Sequence, residues 1–150
     1  MGHNGTGRRA VEMYDDLVTP KILNRDFLHT LYDAAYMECE QDGDGDSVIT
    51  ESGLKCIATL PSHQDAIHLA ILFPLKENVP LQEKLECVNR INDRYIITRA
   101  AVTKDATLLL CDYYIFLNGG VSRKAIVLGT KKFIEVTRQA AEEYASDIIA

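Results

Sequence analysis

The sequence predicts an α+β fold, in which an antiparallel sheet of about five strands carries helices on one face in the order α-β-β-β-α-β-β-α. Extended segments with a period of two alternate with amphipathic segments whose apolar residues recur every three or four positions. A strand that ends in Phe73-Pro74-Leu75 leads to such a helix, and two further strands lead to the last helix. The 150 residues suit one domain, which buries roughly 68–70% of the surface of its unfolded chain.

The bulk composition excludes several classes of protein. With 47% hydrophobic and 25% charged residues, the chain lies close to the soluble globular average. Its net charge of −6 and its scattered basic residues argue against nucleic-acid binding, which depends on clustered lysine and arginine. The longest uncharged apolar stretch, 66–75, is much shorter than the roughly 20 residues that span a bilayer. We expect neither nucleic acid nor a membrane among the partners.

The spacing of the cysteines and the composition of the N-terminus bear on the cellular compartment of the protein. The four cysteines form no Cys-x-x-Cys pair, and the first residues lack the apolar run of a secretion signal. Both features are typical of a reducing environment, so we expect a cytoplasmic protein. The cysteines are Cys39, Cys56, Cys87 and Cys111.

Residues 1–18 are predicted to be an N-terminal extension, partly mobile, that precedes a single domain at 19–150. Residues 1–7 hold three glycines and no apolar pattern. Apolar residues then recur at near-helical spacing, which predicts a short helix over 8–18.

The first helix of the domain is predicted to begin at Thr19-Pro20. Threonine can accept a backbone N–H there, and proline is pre-set for the first helical position. An apolar face carries this helix to Tyr36. That face consists of Leu23, Phe27, Leu31 and Ala34.

Alternation of apolar and polar residues predicts the next three strands. The first covers 37–41 and ends in a turn at 42–46 that is rich in Asp and Gly. The second runs on to Pro61, punctuated by Gly53. The third covers 66–73.

Pro80 predicts the start of the second helix, which ends at Tyr95. We expect its core stripe to be Leu81, Leu85, Val88 and Ile91, with Glu83 and Lys84 on the water side.

The remaining chain is predicted to form a hairpin and a last helix. Segments 96–103 and 107–117 are extended and are joined by a short polar turn. Gly119-Gly120 ends the second of these strands, and Ser122 can cap the helix that follows.

Two of the predicted strands are apolar on both faces. Antiparallel strands commonly bury one face and expose the other, which makes apolar and polar residues alternate. Strand 66–73 carries no formal charge, and the stretch 108–117 carries only Asp112. Helices can cover one face of these strands, and a second copy of the chain or a partner peptide can cover the other. The alternative is that the long last helix and the N-terminal segment wrap round to cover both faces.

Three motifs, in this order, resemble the YbjN-domain family of bacteria. They are Phe73-Pro74-Leu75, Val88-Asn89-Arg90-Ile91-Asn92 and Asn118-Gly119-Gly120-Val121-Ser122. The resemblance covers roughly Leu23 to Tyr144, so that 19–150 is identified as a single YbjN-like domain. Ile91 departs from the family pattern, because an aromatic residue is frequent there.

The resemblance implies a fold similar to that of the type III secretion chaperones, whose members are small, acidic and usually homodimeric. It also implies the family's description as bacterial sensory transduction regulators, which names no mechanism.

Five residues match the family motifs position by position: Asn89, Asn92, Gly119, Gly120 and Ser122. We interpret them as structural. Asparagine side chains can bond loop carbonyls, paired glycines permit backbone angles closed to other residues, and serine caps helices.

The segment from Asp42 through Asp44 to Asp46 has the opening spacing of a calcium loop. Two requirements fail, because the sixth position is Ser47 instead of Gly and the twelfth is Gly53 instead of Glu. We interpret the segment as a turn and predict no metal site.

His63, His68 and Cys56 are the residues from which a metal or nucleophile site could be built. His68 lies on a predicted strand and His63 in the preceding turn, so their convergence is not guaranteed. A small hydrolase or redox enzyme that uses His68 or Cys56 is kept as an alternative function.

Arg99 and Asp112 lie on the two strands of the predicted hairpin. Because an unpaired buried charge is strongly unfavourable, we predict an ion pair between them across the hairpin.

The best-defined stretch, 73–125, contains no nucleophile with its base, no phosphate loop and no metal-ligand spacing. We therefore predict no catalytic residue, no cofactor and no metal. The sequence favours a non-enzymatic homodimer that binds a protein or peptide in a chaperone-like or regulatory role. A structural dimerisation adaptor, which needs no peptide groove, is the remaining alternative.

Overall fold

The computed structural model describes residues 17–63 and 65–150. This part of the chain contains three α-helices: α1 at Arg25–Ala34, α2 at Leu81–Arg94 and α3 at Arg123–Ala140, which continues as a π-helical segment at Ala141–Ala145. None of these helices is long and apolar enough to cross a membrane.

The strands of the described residues form two sheets. They are β1 (Leu17–Val18), β2 (Glu38–Gln41), β3 (Ser47–Glu51), β4 (Leu54–Thr59), β5 (Ala66–Pro74), β6 (Arg99–Val102), β7 (Leu108–Phe116) and β8 (Val121–Ser122). Six of them make an antiparallel sheet in the order β2-β3-β4-β5-β7-β6, and β1 pairs with β8 in a separate ribbon. The predicted α+β class is confirmed.

The sheet has six strands where the sequence predicted about five, because the predicted second strand is itself a hairpin. Ser52 and Gly53 both adopt positive φ, and Glu51 pairs with Leu54 across them. Positive φ at both central residues is the geometry of a two-residue hairpin turn. The chain therefore reverses at Gly53 and returns as β4.

The core lies between the helices and one face of the sheet. β5 and β7 pair along nine residues at the centre of the sheet. Their inward side chains, which include Ile67 and Ile71, belong to one cluster with buried residues of all three helices. Within this core the hydroxyl groups of Tyr32 in α1 and Thr130 in α3 are hydrogen-bonded at 2.9 Å.

The helix predicted over 8–18 lies largely outside the described residues. Its last two residues, Leu17 and Val18, form a strand, because they pair with Ser122 and Val121 in the β1–β8 ribbon. The helix prediction is wrong for these two residues. Val18 is fully buried, and this tertiary contact outweighs the helical spacing of the apolar residues.

α1 begins later than predicted, at Arg25. Thr19-Pro20 forms a turn instead, in which the N–H groups of Ile22 and Leu23 donate to the Thr19 carbonyl. The helix starts after Asn24, whose Oδ1 accepts the N–H of Phe27 at 2.7 Å. Asparagine is at least as good a cap as threonine, and Thr-Pro is equally able to open a turn.

α2 buries a different stripe from the one predicted. Its buried side chains are Lys84, Cys87 and Ile91, whereas Leu81 and Leu85 are half exposed. The prediction is therefore wrong for both leucines and for Lys84. The Lys84 ammonium donates to the Ala106 carbonyl, between β6 and β7, at 2.8 Å, so its aliphatic stem lies inside while its charge is hydrogen-bonded.

β6 begins at Arg99, three residues after the predicted start at Ile96. Ile97 adopts a φ of 74°, and the N–H of Thr98 donates to the carbonyl of Ile96 at 2.8 Å. This γ-turn is strained for a β-branched residue. It directs the chain away from β7, which leaves β6 with four residues and β7 with nine.

Candidate functional site

The sheet face that points away from the helices is partly apolar and exposed. On the central strands this open face consists of Ala66, His68, Ala70 and Leu72 of β5 and Leu110, Asp112, Tyr114 and Phe116 of β7. The intervening residues point inward, where Tyr113 stacks on Phe133 of α3. Phe116 is 63% exposed, and Leu72 and Tyr114 are also exposed.

The wrapping alternative is therefore wrong for the last helix. α3 packs against the inward face of the sheet, where Phe133 meets Tyr113 and Gly129 lies beside Ile115. The N-terminal segment, the other candidate cover, lies outside the described residues.

An ionic network occupies the centre of the open face. Arg99 donates from Nε to Oδ1 of Asp112 at 2.8 Å and from its terminal nitrogen to Oδ2 at 2.7 Å. His68 Nε2 lies 2.9 Å from the same Oδ2. The Asp112 side chain is only 4% exposed, while that of Arg99 is 68% exposed, so the carboxylate is buried under a cation that still meets water.

The electrostatics of Asp112 follow from these partners. Burial by itself would raise the pKa of the Asp112 carboxyl, but the hydrogen bonds and charges of Arg99 and His68 hold that pKa below its ordinary value. The group is therefore ionised at neutral pH, and it keeps Arg99 fixed across the hairpin.

Three aromatic rings form a row beside this network. His68 stacks on Tyr114 with ring centroids 4.5 Å apart, and Tyr114 stacks on Phe116 at 6.3 Å. The row continues the apolar surface of Leu72 and of the partly buried Ile57, which pairs with Ala70 from β4. Exposed aromatic and arginine side chains next to aliphatic ones are the composition of protein-binding surfaces.

Sequence reasoning placed Arg99 opposite Asp112 but missed the third member of the network. His68 reaches Asp112 only because Ala70 pairs with Asp112 across the β5–β7 ladder. This register joins segments 44 residues apart, and no local pattern in the sequence encodes it. The alternation in 66–73 does place His68 on the face opposite Ile67 and Leu69, which was the one usable signal.

The residues proposed for an enzyme site do not meet. Cys56 faces the core, where it pairs with Ile49 and is fully buried, whereas His68 lies on the open face. Burial raises the pKa of the Cys56 thiol to about 12, so it is not a thiolate near neutral pH. His63 is exposed in the turn before β5. The structure therefore does not bring His68 and Cys56 together in one site.

The three aspartates after β2 form a turn. Asp42 Oδ1 accepts the backbone N–H groups of Asp44 at 2.9 Å and Asp46 at 3.0 Å. Arg25 Nε lies 3.3 Å from Oδ1 of Asp46. Within residues 17–63 and 65–150 this is the one cluster of three potential metal ligands, and backbone bonds already use part of its capacity.

The two asparagines of α2 differ in their surroundings. Asn92 lies against the edge strand, where its Oδ1 accepts the N–H of Ala100 at 2.8 Å and its Nδ2 donates to the Ala100 carbonyl at 3.0 Å. Asn89 is exposed beside Leu85. Asn92 therefore caps the outer edge of β6, and Asn89 makes no side-chain hydrogen bond to the described residues.

The turn before α3 uses its glycines and serine for backbone geometry. Gly119 and Gly120 have φ of 84° and 88°. A Cβ on Gly120 would lie 3.0 Å from Cβ of Leu17, so the β1–β8 ribbon leaves no room for a side chain there. Ser122 Oγ accepts the N–H of Ala125 at 3.0 Å and caps the helix.

The family follows from a match that covers most of the chain. The model of the YbjN family, described as "Putative bacterial sensory transduction regulator", matches residues 24–149. The chain belongs to the YbjN family. No functionally curated protein matches it.

Solved structures similar to this YbjN-family chain share its fold. The crystal structure of YbjN from E. coli is 14% identical, covers 89% of this chain and 98% of its own, and has a TM-score of 0.72. The HopA1–SchA chaperone–effector complex is 13% identical, with coverage of 77% and 90% and a TM-score of 0.55. The Yersinia pestis type III secretion chaperone SycH, in complex with a fragment of YscM2, is 14% identical, with coverage of 79% and 97% and a TM-score of 0.51.

These relatives are described as regulators and chaperones, and none is described as an enzyme. The fold shared with type III secretion chaperones is the one that the sequence motifs implied. At this level of identity the likeness establishes the fold alone.

Proposed function

We propose that this YbjN-family protein is a non-enzymatic regulatory module that forms a homodimer and binds a segment of another protein on its open face. The observation that carries the proposal is the row of the partly buried His68 and the exposed Tyr114 and Phe116, on a sheet face that the three helices leave uncovered. Large exposed apolar patches on soluble proteins mark interaction sites.

One further observation supports a protein partner, and another bears on the cellular compartment. The HopA1–SchA chaperone–effector complex and the complex of SycH with a stable fragment of YscM2 each contain a chain that shares the fold of this one. The four cysteines are free thiols, and three of them are buried, which suits a reducing compartment such as the cytoplasm.

The surface proposed for the second copy lies on α2. Leu81 and Leu85 are exposed one helical turn apart, and Glu86 and Arg90 lie beside them. An isologous contact requires a surface that complements itself. An antiparallel pair of α2 helices can meet this requirement, with the leucines of both copies packed about the two-fold axis and the charged Glu86 and Arg90 at the rim of the contact.

The dimer is tested by Leu85→Glu and light scattering at micromolar concentration. The wild type is expected to show twice the mass of one chain and the variant a monomer, because a buried carboxylate at the interface is strongly unfavourable. Leu128→Glu is the matched control, since Leu128 on α3 is as exposed as Leu85 and lies elsewhere. A monomeric wild type contradicts the dimer, and a dimeric Leu85→Glu contradicts this surface.

The binding face is tested by capture from a lysate of the native host, followed by mass spectrometry. A protein retained by the wild type is expected to be lost with Phe116→Ser and kept with Leu128→Ser. Equal capture by both variants contradicts a role for the open face. If a dimer captures nothing, the adaptor interpretation replaces the binding one.

A further inference from the structure

The sheet has a step at its β6 edge. β5 runs beside β7 for all nine residues of β7, whereas β6 accompanies it only from Leu109 to Asp112. Among residues 17–63 and 65–150, the last part of β7, from Tyr113 to Phe116, therefore pairs with a strand on one side only. This stretch of β7 is termed the step edge.

The main-chain groups at the step edge point into the space that β6 leaves empty. The direction is set by the residues at the two ends of β7. The Leu108 carbonyl accepts the N–H of Thr103 and the Leu108 N–H donates to Oγ1 of Thr103, both on the β6 side. The N–H of Leu117, just after β7, donates to the Asp65 carbonyl on the β5 side. Hydrogen-bonding direction alternates along an antiparallel strand. The N–H and C=O groups of Tyr114 and Phe116 consequently face outward. No hydrogen bond from residues 17–63 or 65–150 reaches them.

The γ-turn at Ile97 creates this step. With Ile97 extended, the residues before Arg99 would continue β6 alongside Tyr114. The positive φ of Ile97 directs them away instead, and Ile96 is left 78% exposed. Strained backbone of this kind persists only where surrounding contacts enforce it, and it is concentrated at functional sites. Here Thr98 is held by Thr137 at 3.0 Å and Ala100 by Asn92.

Of the sheet edges in the part of the chain that the structure describes, the other two are protected, and the step edge is not. β2 carries the exposed charges of Glu38 and Glu40, which discourage pairing with another strand. Asn92 occupies the outer main-chain groups of Ala100 on β6. The side chains at the step edge are instead the uncharged Tyr114 and Phe116.

We propose that the step edge accepts an extended segment of the partner protein as an added antiparallel strand, collinear with β6. The inference rests on the proposed function for the nature of the partner and adds the mode of recognition. Alternating N–H donors and C=O acceptors are complemented by another extended main chain, and alternate side chains of that segment would lie on the aromatic row of the open face.

The dimensions favour a flexible segment over a second copy. Four residues of β7 offer roughly 13 Å of edge, and the Ile96–Thr98 turn closes one end. A second copy that paired its own step edge here would bring Leu117 and Asn118 against that turn, whereas a flexible segment can leave the edge at this point. The recognised sequence is a proline-free stretch of at least four residues with apolar side chains at alternate positions.

The first measurement is amide hydrogen exchange by NMR on the full chain. The N–H groups of Tyr114 and Phe116 are expected to exchange fast, while those of Tyr113 and Ile115, which bond to β5, are expected to be protected. Protection of all four in the absence of any added peptide would show that the edge is already filled and would overturn the proposal.

The second measurement adds a probe, an acetylated and amidated hexapeptide of alternating threonine and valine at millimolar concentration. Chemical-shift changes and slower exchange are expected at Tyr114 and Phe116. The same peptide with every amide N-methylated is expected to cause neither. If the unmethylated peptide has no effect on these amides, the strand-addition proposal is overturned. The capture experiments test the proposed function separately, and their outcome does not depend on this result.

The variants Tyr114→Pro and Tyr114→Ala separate the main chain from the side chain. Both lack the aromatic ring, but only proline lacks the N–H, and proline is tolerated on an edge whose N–H faces solvent. Probe binding is expected to be weaker for the proline variant than for the alanine variant by about five- to tenfold. Equal binding overturns the proposal. If Tyr114→Pro does not fold, Phe116→Pro against Phe116→Ala makes the same comparison. A wild-type dimer that is lost in the folded proline variant assigns the edge to a second copy and also overturns the proposal.

Discussion

The two faces of β5 and β7 are built from alternate residues of the same strands, yet they differ in how far their side chains are buried. The inward face carries Ile67, Leu69 and Ile71, each at most 1% exposed, beneath α3. The open face carries Leu72, Tyr114 and Phe116 around the network of Asp112. Both faces avoid exposed charge apart from this network. Residues 17–63 and 65–150 cover one of these faces and leave the other partly exposed.

Under the proposed function, this difference separates residues that stabilise the fold from residues that bind a partner. Side chains on the inward face contribute to the free energy of unfolding because they leave water when the chain folds. Exposed side chains on the open face contribute little to it, so their apolar character has no explanation in the isolated chain. The same substitution, made at adjacent residues that point to opposite faces, tests whether the two faces contribute differently to the free energy of unfolding.

The largest contrast is expected between Ile71→Ala and Leu72→Ala. Ile71 is 1% exposed and Leu72 43% exposed on the same strand. The first substitution is expected to lower the free energy of unfolding by about 2–5 kcal/mol, because it leaves a cavity in the core. The second is expected to cost less than about 1 kcal/mol. Urea unfolding followed by circular dichroism measures both, and equal losses would mean that the open face is as fully packed as the core.

A smaller effect is expected from Arg99→Ala, which leaves the buried Asp112 carboxylate with His68 alone. The expected loss in the free energy of unfolding at pH 7 is about 1–3 kcal/mol, the range for an unsatisfied buried polar group. A larger loss, as for a fully buried charge, is not expected because Arg99 is largely exposed to solvent. Arg138→Ala, which breaks a surface pair with Glu142, is the control and is expected to cost under about 1 kcal/mol.

The same variant has a predictable pH dependence. Asp112 has a lowered pKa in the folded state, so its contribution is present above the unfolded value of about 3.9 and is lost as the pH falls through the folded pKa. The stability difference between wild type and Arg99→Ala should therefore shrink below about pH 4. A difference that stays constant from pH 7 to pH 3 would show that the ion pair is not its source.

The smallest of the three contrasts compares the two asparagines of α2. Asn92→Ala removes both hydrogen bonds to Ala100 and is expected to cost about 1–2 kcal/mol. Asn89→Ala changes an exposed residue and is expected to stay within about 0.5 kcal/mol of wild type. Thermal unfolding of the two variants gives the comparison. Similar losses would contradict the assignment of Asn92 as the cap of the sheet edge.

Local patterns predicted most of the fold. The order of periods, the turn-forming residues and the motif at Gly119-Gly120 were sufficient for the α+β class and for the resemblance to the YbjN family, because each depends on neighbouring residues. The hairpin likewise places Arg99 opposite Asp112 in the structure, since a short turn fixes its register.

The features that were missed depend on distant contacts or on strain. The register between β5 and β7, which brings His68 to Asp112, is set by side-chain packing across the whole sheet. The γ-turn at Ile97 contradicts the preference of isoleucine for extended backbone, so the sequence predicted a longer β6. The site therefore emerges only when the strands are assembled.

The burial of Lys84 is related to the rotation of α2 about its own axis, which determines the side chains that face the core. Successive residues of an α-helix are separated by about 100°. Because Ile91 belongs to both the predicted and the observed stripe, the two stripes differ by a smaller turn about the helix axis, roughly 70°. The ammonium is anchored to the Ala106 carbonyl, and the leucines are consequently displayed outward. The α2 surface that we propose for the dimer is thus displayed next to a lysine that is only 5% exposed.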